Sequence, residues 1–299
     1  MAKSVCRILP IAAFVLAPML AANFATAEYI PPENVSVQTV AYTPESTDFQ
    51  PGTYKYSMCW QGIPVARGQI HVRPSGAGDS SFLKVTASAE TVSAIDLFYS
   101  LDHKSESVFD ARTLLPISFF SKQVENSRTK FRSIGFDGKG DISAKLWKQN
   151  KKGEEIPEEE HNFHSDHQTF DPISAAFLAR SMPIEVGKKL SFDVFTGKHR
   201  FLISFEAQDR EMIKIDGKKV EAFRVIPTVK KLTDTEGETK LQSATLWIST
   251  DEKRDLLKVE SKVFVGRVTA ELDGFVPDKT PDQGSLRASL SSQSPDTVK

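Results

Sequence analysis

A period of two in the apolar residues constrains this chain more than any other feature. In TYKYSMCW (53–60), Tyr54, Tyr56, Met58 and Trp60 fall on one face and the remaining residues on the other. The same alternation recurs in VARGQIHVR, LKVTASA, TKFRSIGF, LSFDVF, RFLISFEA, KVEAFRVI, ATLWIS, LLKVESKVFV and RVTAELDGF. This period is typical of β-strands that bury one face.

Turn signals separate these segments. They are DGKG at 137–140, GKH at 197–199, DGK at 216–218, TEGE at 235–238 and TDEKR at 250–254. Many short strands at hairpin spacing predict an all-β, mostly antiparallel fold. Because a long meander must hide its edges, we expect a curved sheet or an incomplete β-barrel.

One segment departs from the period of two and predicts a short helix at 171–181. Asp171 suits the N-cap, Pro172 suits the first helical position, and Pro183 stops the chain. A narrow apolar stripe recurs at helical spacing in Ile173, Ala176, Phe177 and Arg180. A single short helix in a β-domain is expected to cap the open end of the core.

The first 27 residues have the pattern of a cleaved secretory signal peptide. Lys3 and Arg7 precede an apolar run at 8–22, and small residues ending at Ala27 follow. Cleavage after Ala27 predicts a periplasmic protein. No other run approaches the roughly 18 apolar residues that a membrane-spanning helix needs, so we expect no membrane span.

The rest of the chain divides into three parts. Residues 28–50 are polar with paired prolines and predict an extended lead-in. Residues 51–275 carry the alternation and predict a single β-rich domain. Residues 276–299 are rich in Pro, Ser and Asp, and predict a disordered tail because they have little apolar surface to bury.

Cysteine count and charge limit the partners. Once the signal peptide with Cys6 is removed, Cys59 is the single thiol, and it cannot form an internal disulfide. The chain has 38 basic and 39 acidic residues and no basic stripe, so we expect no nucleic-acid partner. The role of Cys59 and the oligomeric state stay open.

Three histidines, His161, His164 and His167, lie with Glu160 and Asp166 in one polar stretch. Imidazole and carboxylate groups are suitable zinc ligands. Residues three apart drift around a helix and alternate faces in a strand, so this spacing does not gather them. We interpret the stretch as a solvated loop before the helix, and expect no metal and no cofactor.

Other catalytic patterns are weak. SFLK (81–84) and SRTK (127–130) match the S-x-x-K pattern, which needs Ser and Lys on one helical face. Both lie in segments predicted as strands, where residues three apart point oppositely. Cys59 with His71 as base is a further option, although a half-buried strand cysteine is the default. We expect a protein that is not an enzyme.

Four segments in order carry a family resemblance: WQGIPVARGQIHV, IDLFYSLDHKSESVFDARTLLPISF, FDPISAAFLARSMPIEVGKKLSFDVF and LWISTDEKRDLLKVESKVFVGRVTAEL. Together, from roughly Tyr54 to Phe275, they resemble domain-of-unknown-function family 3108 of exported bacterial envelope proteins. RDLLKV departs from the family pattern, in which a proline is expected near Leu256. The resemblance implies a Gram-negative cell-envelope protein with an open β-fold similar to periplasmic lipoprotein carriers. It implies no catalytic residues.

Two functions remain open. In the first, the curved sheet binds an apolar ligand (a lipid or lipid-like molecule) or a segment of an envelope protein. In the second, a fully packed core serves a structural or adaptor role in envelope integrity, without ligand. The candidate ligand-binding residues are Tyr54, Tyr56, Met58, Trp60, Phe98 and Phe177, since aromatic and Met side chains suit either a core or an adaptable pocket. Phe98 lies in the cluster AIDLFYSLDH, which is either core or the lip of a ligand site.

Overall fold

The structure, a computed structural model, describes residues 29–278 except for 38, 77–80, 97–98, 151, 234–243 and 264–265. The predicted signal peptide, the turn at 235–238 and nearly all of the predicted tail lie outside the described residues. Within the described ranges, no helix has the length and hydropathy needed to cross a membrane.

Strands dominate the part of the chain that the structure describes. They are β1 (Gly52–Trp60), β2 (Ile63–Ser75), β3 (Phe82–Thr91), β4 (Leu101–Asp110), β5 (Pro116–Glu125), β6 (Arg128–Phe136), β7 (Asp141–Gln149), β8 (Glu155–His164), β9 (Thr169–Phe170), β10 (Lys189–Phe195), β11 (Arg200–Ile215), β12 (Lys218–Lys231), β13 (Ala244–Ser249), β14 (Leu256–Val263) and β15 (Gly266–Pro277). The helices are α1 (Ser93–Asp96), α2 (Pro172–Ser181) and a 3-10 turn at Pro32–Asn34.

The described strands form one sheet in the order β8 to β1, then β15 down to β9. The first and last strands are therefore neighbours in the middle of the sheet, and every pairing is antiparallel except that of β9 with β10. The sheet curves, but no ladder joins β8 to β9 or β10, so the barrel stays open. This confirms the predicted fold class.

Each of the ten segments with alternating apolar residues contributes to a strand. Strands β4 and β5 are less evident in the sequence because polar residues occupy inward positions. On β4, His103, Ser105 and Ser107 are buried, and on β5 Ser121 is buried. Along these strands, buried and exposed positions alternate, but apolar and polar residues do not.

The expectation of a solvated loop across the histidine stretch is wrong for His161 and His164, which lie in β8. This strand is at the edge of the described sheet and pairs only with β7. Its glutamates and Pro157 are typical of an edge strand, where charge and proline discourage pairing with other chains. Most of its residues are exposed, so the strand has no continuous apolar face in sequence.

Helix α2 confirms the predicted helix and begins with a capping box. The Asp171 carboxylate accepts hydrogen bonds from the backbone N–H groups of Ile173 (2.8 Å) and Ser174 (3.2 Å), and Ser174 Oγ accepts from the Asp171 N–H (3.1 Å). Ser107 on β4 donates to the second carboxylate oxygen at 2.7 Å. Burial raises the pKa of Asp171. The cap therefore fixes the start of the helix to β4.

The other end of α2 is tied to the turn between β13 and β14. The Arg180 guanidinium donates to the carbonyl oxygens of Lys253 and Arg254, both at 3.0 Å, and to the Asp255 carboxylate at 2.8 Å. We call β1–β8 the first arm of the sheet and β9–β15 the second arm. The helix thus crosses the concave face from β4 in the first arm to the turn between β13 and β14 in the second. Phe177, at its centre, packs in the main core with residues of both arms.

A buried ion pair lies at the seam, the gap between β8 on one side and β9 and β10 on the other. Arg200 is 2 % exposed and Asp193 is 0 % exposed, and the guanidinium donates to the carboxylate. Thr169 Oγ1 donates to the same carboxylate at 2.7 Å, and His167 Nε2 lies 3.1 Å from it. Burial alone raises the pKa of Asp193, but hydrogen bonds from His167, Arg200 and Thr169 bring it below its usual value.

The segment at 29–50 packs over the seam. Arg200 donates to the carbonyl oxygens of Pro32 and Val35, both at 3.2 Å. Further along, the Tyr42 N–H donates to Gln168 Oε1 at 2.9 Å, and the Tyr42 hydroxyl accepts from the backbone of β10. Side chains and this segment, rather than a strand ladder, therefore hold the two ends of the sheet together.

Candidate functional site

A cavity of about 150 Å³ lies between α2 and the concave face of the sheet. Its walls are mainly apolar and come from both arms and from the helix, including Tyr56, Val85, Phe119, Phe177, Phe205 and Leu246. The wall also includes Glu185 and Lys188, which are exposed, so the cavity reaches the surface beside the chain that follows α2. We call this opening the mouth.

One end of the cavity is polar, and we call it the polar corner: His103, Ser105, Ser121 and Arg132. Ser105 on β4 lies opposite Ser121 on β5, and Ser121 lies opposite Arg132 on β6. Directly opposed residues point to the same face of a sheet, so the three side chains form one inward row, with His103 beside it. The arrangement can receive a polar group at one end of an apolar chamber.

Charge in the polar corner is positive. Burial, together with the charge of Arg132, lowers the pKa of His103 to about 4, so this imidazole is neutral at pH 7. Burial also lowers the pKa of Arg132, although an arginine stays protonated at neutral pH. The Arg132 side chain is only partly accessible and lines the cavity. A cation enclosed by protein favours an anion nearby.

The polar corner predicts a loss of stability on acidification. His103 is 6 % exposed, and its pKa is about 4 in the folded protein against an ordinary value near 6.5. The unfolded chain therefore binds more protons between these values, and the folded state should lose roughly 2–3 kcal/mol from pH 7 to pH 4.5. Urea unfolding at both pH values measures this loss, which His103→Gln should remove.

His164 provides the control for this experiment. Its hydrogen bond to Asp141 raises its pKa, so it contributes stability at low pH that is lost as the pH rises. His164→Gln should therefore leave the loss on acidification in place. Equal pH dependence in wild-type and His103→Gln proteins would show that His103 is not kept neutral by burial.

The structure brings two of the six candidate ligand-binding residues into the cavity wall, Tyr56 and Phe177. Tyr54 is buried in the core, with its ring 4.6 Å from that of Phe275. Met58 is buried in a separate cluster that includes Tyr99 and Leu101. Trp60 is half-buried at the end of β1 and does not line the cavity. Phe98 lies outside the described residues.

The three histidines have separate partners. His161 contacts Glu159, His164 contacts Asp141, and His167 contacts Asp193. Across the described ranges, no group of three or more His, Cys, Asp or Glu side chains is arranged to hold a metal ion. The expectation of no metal stays a prediction for the intact protein.

Cys59 and His71 are not arranged as a nucleophile and base. His71 lies opposite Thr53, six positions along β1 from Cys59, which is about 20 Å at 3.3 Å per residue. His71 instead contacts Asp278 at 3.1 Å. Burial, with nearby carboxylates, raises the pKa of Cys59, the opposite of what a reactive thiolate needs.

Comparison with family models gives a match over residues 55–273, nearly the whole sheet and all of the cavity wall. The matching family is described as "Protein of unknown function (DUF3108)". The chain belongs to the DUF3108 family. No curated protein sequence matches this DUF3108 member.

Solved structures similar to this DUF3108 chain include the following two. One is a β-barrel-like protein of domain of unknown function DUF1849 from Brucella abortus, with a TM-score of 0.51 and 11% identity, covering 78% of this chain and 99% of that chain. The other is a protein with a YmcC-like fold from Bacteroides fragilis NCTC 9343, with a TM-score of 0.30 and 8% identity, covering 84% and 100%. At these identities the first likeness concerns the fold alone.

Proposed function

We propose that this DUF3108 protein is an exported, non-enzymatic protein of the cell envelope that binds an apolar ligand in the cavity under α2. The cavity is the observation that carries the proposal. Protein cores are close-packed, with few voids larger than a water molecule. Leaving about 150 Å³ empty costs at most roughly 3–4 kcal/mol, at about 24 cal/mol per Å³. A protein with only a scaffolding role gains nothing from that cost.

The size of the cavity limits the ligand. Pockets for drug-sized ligands measure about 300–1,000 Å³, so this cavity is small. This volume therefore favours a short single chain with its end at the mouth over a two-chain lipid. The proposed location in the periplasm rests on the signal-peptide pattern of residues 1–27.

Native mass spectrometry of protein purified from the periplasm tests the location and the ligand together. The polypeptide mass should correspond to a chain that begins at Glu28, and a bound species should be released on unfolding. After its removal, the protein should bind 1-octanol in a calorimetric titration. Ala176→Phe places a ring in the cavity and should abolish this binding, whereas the same change at exposed Ala94 in α1 should not.

The alternative is an adaptor protein without ligand. In that case the protein purified from the periplasm carries no bound species, and titration with 1-octanol gives no heat of binding. Such a result, with Ala176→Phe simply raising the unfolding free energy, would replace the ligand-binding proposal with the adaptor.

A further inference from the structure

The polar corner contains a positive charge without a partner. Within the part of the chain that the structure describes, no hydrogen bond or ion pair holds the Arg132 guanidinium. The carboxylate whose charge acts on it is that of Glu158, which is itself paired with Lys148 at 3.0 Å. Against the stem of Arg132 lies the turn between β10 and β11, where a Cβ added to Gly197 would be 3.8 Å from Arg132 Cδ.

Two other enclosed arginines among the described residues are fully engaged. Arg180, which also lines the cavity, donates to Asp255 and to two backbone carbonyl groups. Arg200 pairs with Asp193 and with the segment over the seam. A guanidinium removed from bulk water without such partners is costly. Arg132 is therefore the position in the cavity wall that most favours an incoming anion.

We propose that the ligand is a single-chain carboxylate whose head group pairs with Arg132 while its chain lies in the apolar part of the cavity, an inference that rests on the proposed function. A guanidinium offers two parallel N–H donors that match the two oxygens of a carboxylate. The hydroxyl groups of Ser105 and Ser121 lie in the same inward row and supply further donors. A short fatty acid has both parts.

A carboxylate is favoured over a phospholipid phosphate by size. A cavity of about 150 Å³ is small beside the roughly 300–1,000 Å³ of pockets for drug-sized ligands, so it suits a small head group on one chain. Octyl phosphate, which has one chain and a phosphate, separates the contribution of the charge from that of the head-group chemistry.

Calorimetric titration of the delipidated, full-length mature protein with octanoate, 1-octanol and octyl phosphate tests the inference. Wild-type protein should bind octanoate at least tenfold more tightly than 1-octanol and more tightly than octyl phosphate. Arg132→Gln should weaken octanoate binding at least tenfold and change 1-octanol binding less than twofold. Lys122→Gln removes an exposed charge beside Ser121 on the outer face and should leave both affinities unchanged.

The outcomes separate the two proposals. If 1-octanol and octanoate both fail to bind wild-type protein, the proposed function fails. If 1-octanol binds and octanoate binds no better, the inference fails while the proposed function stands, and the polar corner holds only water. Tighter binding of octyl phosphate than of octanoate would also overturn the inference of a carboxylate ligand. The comparison of ligands on wild-type protein needs no variant, so it tests the inference even if Arg132→Gln misfolds. Arg132→Met provides a second variant of similar shape.

Discussion

Replacing Phe177 by alanine is expected to lower the free energy of unfolding by about 3–5 kcal/mol, the usual cost of truncating a buried phenylalanine. Phe177 is 3 % exposed, and its ring centroid lies 4.8 Å from that of Phe49 and 5.4 Å from that of Phe109. The change removes contacts between the helix, the first arm of the sheet and the segment at 29–50. Urea denaturation followed by circular dichroism measures the difference.

Phe120→Ala is the matched control, because Phe120 is 42 % exposed and its truncation should cost about 1 kcal/mol or less. A near-neutral Phe177→Ala would contradict the packing described above. It would mean that α2 is a movable cover over the cavity, which favours a ligand carrier over a packed scaffold. The two ties of the helix, at Asp171 and Arg180, support a fixed cover with entry at the mouth.

Replacing Asp193 by alanine is expected to cost about 3–5 kcal/mol, because the change leaves the Arg200 charge buried and without its carboxylate. The carboxylate also accepts from Thr169, so that hydroxyl keeps only its contact with Ser165 Oγ at 2.8 Å. Chemical unfolding at pH 7 gives the value. The lowered pKa of Asp193 means that this contribution is present at neutral pH and is lost as the pH falls below about 4.

A double variant checks the origin of this effect. If the cost of Asp193→Ala comes from an unpaired buried charge, Asp193→Ala with Arg200→Met should recover much of the lost stability, since apolar replacements of buried ion pairs are often neutral. A double variant no more stable than Asp193→Ala would point instead to the contacts of Arg200 with Pro32 and Val35. In that case the segment over the seam contributes more than the ion pair.

Much of the fold follows from local sequence rules. Alternating apolar and polar residues predict a strand with one buried and one exposed face. Asp171, Pro172 and Pro183 predict the helix. The edge strand β8 is different, because both of its faces are largely exposed and its pairing depends on β7, not on its own pattern. Pairing of β1 with β15 also depends on the whole sheet, so no local signal predicts it.

Local sequence rules predict less of the candidate site. Two aromatic residues, Tyr56 and Phe177, were identified because apolar residues at inward positions are the expected signal. His103, Ser105, Ser121 and Arg132 were missed because polar residues in a strand are assigned to the outer face. Serine and histidine at every second position of β4, within LDHKSESVFD, were the available signal. The pairing of β4 with β5 and of β5 with β6 is needed to show that these residues lie in one row with Arg132.

The adjacency of β1 and β15 has a consequence for how the chain folds. Ser57 Oγ donates to Asp273 Oδ1 across this ladder, joining residues 216 positions apart, whereas most other ladders join strands linked by short turns. Closing a loop of that length costs about 3–4 kcal/mol more chain entropy than closing a four-residue turn. The two runs of hairpins, β1 to β8 and β10 to β15, can therefore form early and separately. We expect their junction to form last, so that the edges of β1 and β15 stay unpaired until both ends of the polypeptide are synthesised.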